Sequence, residues 1–162
     1  MTRVLLVRHA RAEPYGSVPD DAQRPLTEEG RARFARGVRG LERLDLALER
    51  VYTSPLLRAL ETAELMAPLL ADTDGETVVA AGLGRPPAAS LFDELEDASL
   101  ALVGHEPWMG ELCALLTTGR TAEGRCFPFK KGGAAWLEGS LAPGGMGVVA
   151  YLPPRVLRAL AE

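Results

Sequence analysis

The sequence is poor in the residues that build metal centres and polyanion-binding surfaces. Among 162 residues there are two cysteines, two histidines and two lysines. Cys113 and Cys126 have no metal-ligand spacing, and Cys113, set in an apolar helical pattern, reads as a buried inert thiol. The lysines are the neighbours Lys130 and Lys131; all other basic residues are arginine, a bias that by itself says nothing of function. A net charge of -4 gives no basic field to recruit nucleic acid. No apolar run reaches membrane-spanning length. A strand flanked by Arg3 and Arg8 begins where a signal peptide would need its apolar segment, so a cytoplasmic protein without membrane contact is expected. Internal repeats and low-complexity linkers are also missing. A chain of this length, 47% hydrophobic and 25% charged, fits one domain spanning 1–162 with a core that needs no staples.

What is present is concentrated at the start. Met1 to Ala10 reads M-T-R-V-L-L-V-R-H-A, and Val4 to Val7 form the short aliphatic run of a buried central strand. Arg8 and His9 follow at its C-terminal end, where open α/β sheets bind ligands. Residues 11–23 hold Pro14, Gly16 and Pro19 and read as an exposed loop. Thr27 is the expected N-cap of a helix running to about Arg43, with Glu28 and Glu29 in its first turn and Phe34, Val38 and Leu41 on its apolar face. A strand ending near Thr53 leads into Ser54-Pro55, a strong helix start with Ser54 as cap and Pro55 at N1. That helix should carry Leu57, Leu60, Met66 and Leu69 to the core and stop near Asp72 to Gly75. It also places Arg58 one turn in, able to project toward an anion above the sheet.

The second half continues the alternation. Thr77 to Ala81 reads as a strand, Gly82 to Pro87 as a loop and Ala88 to Leu95 as a short helix. Ser99 to Val103 is the fourth strand, followed by Gly104, His105, Glu106 and Pro107. Pro107 suits the first turn of a helix containing Trp108, Met109, Leu112, Leu115 and Leu116. After a loop at 117–129, residues 133–141 and 146–152 form a hairpin around Pro143, Gly144 and Gly145, and Pro153 to Ala161 closes with an amphipathic helix. Strands alternating with helices predict a three-layer α/β/α sandwich with a mostly parallel central sheet.

Both histidines, His9 and His105, directly follow an apolar strand. A core histidine belongs within an element, and two at strand ends point to a functional pair. Neither has a partner at metal-ligand spacing, so no metal or other cofactor is expected. Four motifs accompany the pair: R-H-A at 8–10, R-P-L-T-x-x-G at 24–30, S-P-L-x-R-A-x-x-T at 54–62 and G-H-E-P at 104–107. As a set they resemble the histidine phosphatase superfamily, whose fold is phosphoglycerate mutase-like. The short chain and the R-P-L-T element are similar to its small branch, the SixA-type phosphohistidine phosphatases. Ala10 departs from the pattern, where the superfamily more often has glycine.

The resemblance implies that His9 is the nucleophile, that Arg8, Arg24 and Arg58 bind phosphate, and that His105 donates to the phosphoryl oxygens. The chemistry agrees. Nearby guanidinium charges keep an imidazole neutral and nucleophilic, and guanidinium forks suit phosphate oxygens. Ser54 reads as a helix cap rather than a ligand. The segment between the third and fourth strands is too short for a cap insertion, and its loop at 82–87 has no carboxylate. Asp93 and Glu94, nearby, read as a solvated helix face. An alkoxide leaving group, with a pKa near water's ~15.7, needs a proton, whereas imidazole, with a conjugate-acid pKa of ~6.5, leaves more easily. Phosphohistidine on a protein is therefore the expected substrate. A small phosphate ester, hydrolysed or isomerised with an acid from Asp93, Glu94 or Glu106, is the alternative within enzymes; an inactive phosphate-binding module is the alternative outside them. Residues 11–23 and 128–132 should flank a shallow site, where Lys130 and Lys131 could attract an acidic partner.

Overall fold

Val4, Leu5, Leu6 and Val7 are all but completely buried, and they alternate between two cores. In the computed structural model, which describes every residue except Thr73, Asp74 and Asp97, this strand, β1 (Thr2–Arg8), lies inside the sheet. The chain continues through α1 (Glu28–Glu42), β2 (Arg50–Thr53), α2 (Leu57–Glu64), β3 (Thr77–Val79), β4 (Ser99–Gly104), α3 (Trp108–Thr118), β5 (Ala134–Gly139), β6 (Met146–Leu152) and α4 (Pro154–Leu160). The strand order is β3-β2-β4-β1-β5-β6. The first four of these run parallel, and the β5–β6 hairpin joins β1 in antiparallel fashion.

Period-two alternation sends Leu5 and Val7 toward Phe34, Val38, Leu41, Ala59, Ala63 and Leu157, on α1, α2 and α4. Val4 and Leu6 face the other way, toward Met109, Leu112 and Leu116 of α3 and toward Leu83 and Leu91. The result is the three-layer α/β/α arrangement expected, with a mostly parallel sheet. Cys113 is buried in the second core, and burial pushes its thiol up to about 12, which makes it inert.

Local signals were read correctly where they are self-contained. Thr27 caps α1 by accepting from the Gly30 N–H at 2.9 Å. They fail where tertiary contacts decide. The second helix starts at Leu57 rather than at Pro55, and Ser54 does not cap it in the expected way. Its buried face is Arg58, Ala59, Thr62 and Ala63, while Leu57 and Leu60 are only half-buried. Small alanines let the helix lie close on the sheet, and the rotation turns Arg58 and Thr62 toward the strand ends. Helix α2 ends at Glu64, before a single 3₁₀ turn at Ala67–Leu69; of the expected stop at 72–75, Thr73 and Asp74 lie outside the described residues. The short helix expected at 88–95 is present as a 3₁₀ helix at Ala89–Glu94, and Pro107 stands at the start of α3, in the N-cap position. The cap there is the Glu106 carboxylate, whose Oε1 accepts from the Gly110 N–H at 2.7 Å.

Gly30 shows how the loop after β1 is tied down. The Arg11 carbonyl accepts from the Thr27 N–H at 3.0 Å, and a Cβ on Gly30 would stand 2.2 Å from that same oxygen. Gly30→Ala should therefore destabilise the fold by ~1–3 kcal/mol, the range for overpacking. Gly147→Ala, on an exposed strand with nothing within 4 Å of the added atom, should change stability by less than ~0.5 kcal/mol. Urea midpoints of the two variants check this; equal midpoints would refute the close approach.

Candidate active site

Strands β2, β4 and β1 are neighbours and run the same way, and Val103 of β4 is in register with both Thr53 and Val7. Ser54, His105 and His9 therefore leave the sheet side by side at its C-terminal edge. The two imidazoles have ring centroids 5.1 Å apart, and all three side chains are buried. The main chain around His9 is pinned from several sides. Its N–H donates to Gly104 O at 2.9 Å, and Gly132 N–H reaches Arg8 O and His9 O. Ala10 N–H donates to Thr62 Oγ1 at 3.0 Å, and that hydroxyl donates to Arg58 O at 2.7 Å. Thr62, the last residue of the third motif, thus links the nucleophile candidate to the arginine helix.

His9 Nδ1 lies 2.7 Å from the Ala10 carbonyl oxygen. A carbonyl only accepts, so Nδ1 carries the hydrogen and Nε2 presents a lone pair. Burial above all, followed by the charges of His105, Arg58 and Arg8, pushes His9 down to about 3 against the help of the Ala10 bond. His105 falls to about 4, first by burial and then through Arg58 and Arg8. Both rings are neutral at neutral pH.

His105 owes its orientation to Ser54. Its Nε2 is 2.7 Å from Ser54 Oγ, and that oxygen already accepts from the Leu56 N–H at 3.2 Å. The Leu56 bond leaves the hydroxyl hydrogen free to donate to Nε2, and in that tautomer the imidazole hydrogen sits on Nδ1. His105 Nδ1 is buried with no partner in the protein, as are Arg8 Nε and Arg58 Nε. Buried donors without partners are rare in folded proteins. These three atoms belong to residues whose charges act on His9, and such a cluster suits an anion.

The arginines are held in place by backbone and by one acid. Arg8 donates through NH1 to Phe129 O at 2.7 Å. Arg58 donates to Asp21 O at 3.0 Å and pairs with Asp21 Oδ2 at 3.3 Å. Arg24 pairs with Asp21 Oδ1 at 2.9 Å and donates to Glu13 O, so it enters the cluster through Asp21. Hydrogen bonding to Arg24 is the main cause that holds the Asp21 carboxyl below its ordinary range.

Arg8, His9, Arg58 and His105 come together as the sequence predicts, and the flanking roles of 11–23 and 128–132 hold through Asp21, Phe129 and Gly132. Sequence reasoning missed Asp21, Thr62 and the part played by Ser54. Glu106 is also reassigned. Its Oε1 caps α3, and its Oε2 accepts from the Phe129 N–H at 3.3 Å, so both oxygens are engaged. Asp93 and Glu94 are exposed, although Glu94 Oε1 lies 3.0 Å from the position of a Cβ on Gly82. Among the described residues no group of three or more His, Cys, Asp or Glu could hold a metal ion. No helix is long and apolar enough to cross a membrane.

Known proteins carry the same features. The family model of the histidine phosphatase superfamily (branch 1) matches residues 4–80. An uncharacterised protein of Picosynechococcus sp. is 35% identical over 142 residues, covering 83% of this chain and 84% of that protein. Among solved structures, the protein histidine phosphatase SixA complexed with tungstate superposes with a TM-score of 0.78 at 24% identity, over 96% of this chain and 99% of that one. Phosphoserine phosphatase from Entamoeba histolytica, in complex with 3-phosphoglyceric acid, gives 0.69 at 17% identity, over 97% and 100%. With the motifs at the strand ends and the fold in agreement, the chain belongs to the histidine phosphatase superfamily, and the superfamily supports a phosphatase activity for it.

Proposed function

We propose that the protein is a metal-independent phosphatase that forms a phosphohistidine intermediate on His9 and takes phosphohistidine on a protein as its substrate. His9 Nε2 attacks phosphorus as the bond from phosphorus to the substrate ring breaks; that ring, protonated from solvent at its other nitrogen, leaves as a neutral imidazole, and phospho-His9 keeps its Nδ1 hydrogen. Arg8, Arg24 and Arg58 hold the phosphoryl oxygens, and His105 Nδ1–H donates to one of them. Water then attacks phospho-His9, giving inorganic phosphate and free His9. Positioning and charge are most of what phosphoryl transfer asks of a protein.

The observation that carries the choice of substrate is the state of the carboxylates. Asp21 is ionised and shared between Arg24 and Arg58, and both oxygens of Glu106 accept backbone hydrogen bonds. Neither is a free acid for an alkoxide. Transfer from a substrate imidazole protonated at its other ring nitrogen needs none from the protein, because nucleophile and leaving group are then the same neutral group. One observation favours a second reading, hydrolysis of a small phosphate ester. Glu94 lies against the Gly82 turn, and a Cβ on Gly84 in that turn would be 3.4 Å from Ser54 Oγ, so Glu94 is the acid that reading would use.

Four outcomes are expected. Initial rates on a phosphohistidine protein should exceed those on a phosphoserine peptide and a small alkyl phosphate with chelator present. His9→Ala should abolish turnover while phosphate still binds. A faster rate on the alkyl phosphate, lost in Glu94→Gln, would establish the second reading instead. Ser54→Ala should lower kcat by a factor of about 10 to 100, the equivalent of one hydrogen bond to a charged group, with KM little changed; an unaltered kcat would remove Ser54 from the mechanism. Finally, NMR titration of the two imidazoles should show no step between pH 7.5 and about 5.5 in the free enzyme, since both are pushed far below the ordinary value of ~6.5. The unfolded chain takes up those protons first, so the stability these neutral rings contribute is present above about 6.5 and lost as the pH falls toward 4 and then 3. A midpoint near 6.5 for either ring would contradict the site electrostatics.

A further inference from the structure

Beside the catalytic cluster lies a groove of ≈ 660 Å³ that the mechanism does not use. Its floor is apolar, formed by Phe34 and Gly37 of α1 and by Pro153 and Pro154 at the start of α4. Its rim is basic: Arg11, Arg33, Lys130, Lys131, Arg155 and Arg158 all line it, and among the described residues no carboxylate does. The chain as a whole is acidic, with 22 Asp and Glu against 18 Lys and Arg, so a third of its cations gather around one groove. Glu29 outside the lining is shared by Arg11 at 3.5 Å and Arg33 at 3.1 Å, and these exposed pairs are weak and readily exchanged.

The groove is continuous with the active site. Ala10 and Arg11, which follow the nucleophile directly, form one wall. Gly132, also in the lining, donates its N–H to the carbonyls of Arg8 and His9. Lys131 is held below its ordinary pKa, by burial first and then by Arg8, Arg24 and Arg11, so its ammonium feels both the phosphate cluster and the groove.

We propose that this groove docks an acidic segment of the phosphorylated protein substrate, next to the phosphohistidine it presents to His9; the proposal rests on the phosphohistidine reading above. The cations come from four separate segments and spread along a rim. None of them is a buried group, unlike the donors of a built small-anion site: five are exposed and Arg158 is half-buried. Spread cations over an apolar floor match a peptide that carries several carboxylates on one side and aliphatic groups on the other. Complementary charge of this kind also speeds the encounter with an acidic partner.

The test uses the full chain and two phosphohistidine peptides of equal length, one with four Glu six to twelve residues from the phosphohistidine and one with Gln in their place. The acidic peptide should have a KM lower by about tenfold, the size expected of a few screened charge pairs, and the advantage should shrink as salt rises. The triple variant Arg33→Glu, Arg155→Glu, Arg158→Glu should lose that advantage and keep its rate on phosphoramidate, which is too small to reach the groove; that unchanged rate also reports a folded enzyme. Equal KM values for the two peptides in the unaltered enzyme overturn the proposal. If neither peptide is hydrolysed, the phosphohistidine reading falls, and fluorescence anisotropy of the labelled, unphosphorylated peptides then judges the groove alone. Tighter binding of the acidic peptide, lost in the triple variant, retains an acidic-peptide site; binding independent of the Glu residues or of the variant overturns it. Displacement by a short RNA at lower concentration than by the acidic peptide itself would assign the groove to nucleic acid and overturn it as well.

Discussion

Val103 pairs with Val7 on one side and with Thr53 on the other, and that shared register fixes what stands above the sheet. Because β2, β4 and β1 are parallel neighbours, their C-terminal ends lie at one edge, β4 and β1 running one residue past the level of Thr53. The next residues, Ser54, His105 and His9, then form a row. Sliding any of these strands by one residue would turn its side chains to the opposite face and put its buried set into the wrong core. Hydrophobic burial on two faces thus holds the active-site row in place. The polar contacts refine it: Thr62 holds Ala10, Ser54 holds His105, and Gly132 holds the carbonyls of Arg8 and His9.

The same row is electrostatically costly in the free protein. Guanidinium groups stand close enough to depress two imidazoles, and Asp21 is the carboxylate that faces Arg24 and Arg58 together. Three polar atoms remain buried without partners. A phosphoryl group supplies both the missing negative charge and the missing acceptors. In the pentavalent transition state that charge is spread over equatorial oxygens, and donors already fixed at those positions need no reorganisation.

How much of this could be read from the sequence depends on how local each signal is. The β1 run, the Thr27 cap and the two histidines at strand ends are local signals, and the sheet, the first helix and the pairing of the two imidazoles follow from them. Ser54 illustrates the limit. Followed by proline it has the signature of a helix cap, but its hydroxyl accepts from Leu56 and turns to His105, a partner 51 residues away that only the strand order brings near. Asp21 sat in a loop defined by its prolines and glycines, with nothing in the chain to say that it would meet Arg58. The face of α2 was misjudged for a related reason. Leucines at helical spacing are the stronger hydrophobic signal, yet close packing on the sheet favours Ala59 and Ala63. Gly30 was legible as part of a motif, while its cause, the Arg11 carbonyl where a Cβ would go, is a contact between distant segments.

The phosphate cluster by itself discriminates little among substrates. Arginines and a neutral imidazole donor recognise a phosphoryl group whatever it is attached to, so selectivity has to come from the leaving group and from surfaces outside the cluster. The leaving group divides phosphoramidates from esters through the need for an acid, and the engaged oxygens of Glu106 and the ionised Asp21 support the phosphoramidate reading proposed above. That criterion cannot tell one phosphohistidine protein from another, because the scissile bond is the same in each. The remaining discrimination falls to whatever contacts the protein around the phosphohistidine. On this molecule the segment that walls the groove, residues 130–132, also holds the Arg8 and His9 carbonyls through the Gly132 N–H, so the proposed recognition and the proposed chemistry would share one piece of chain.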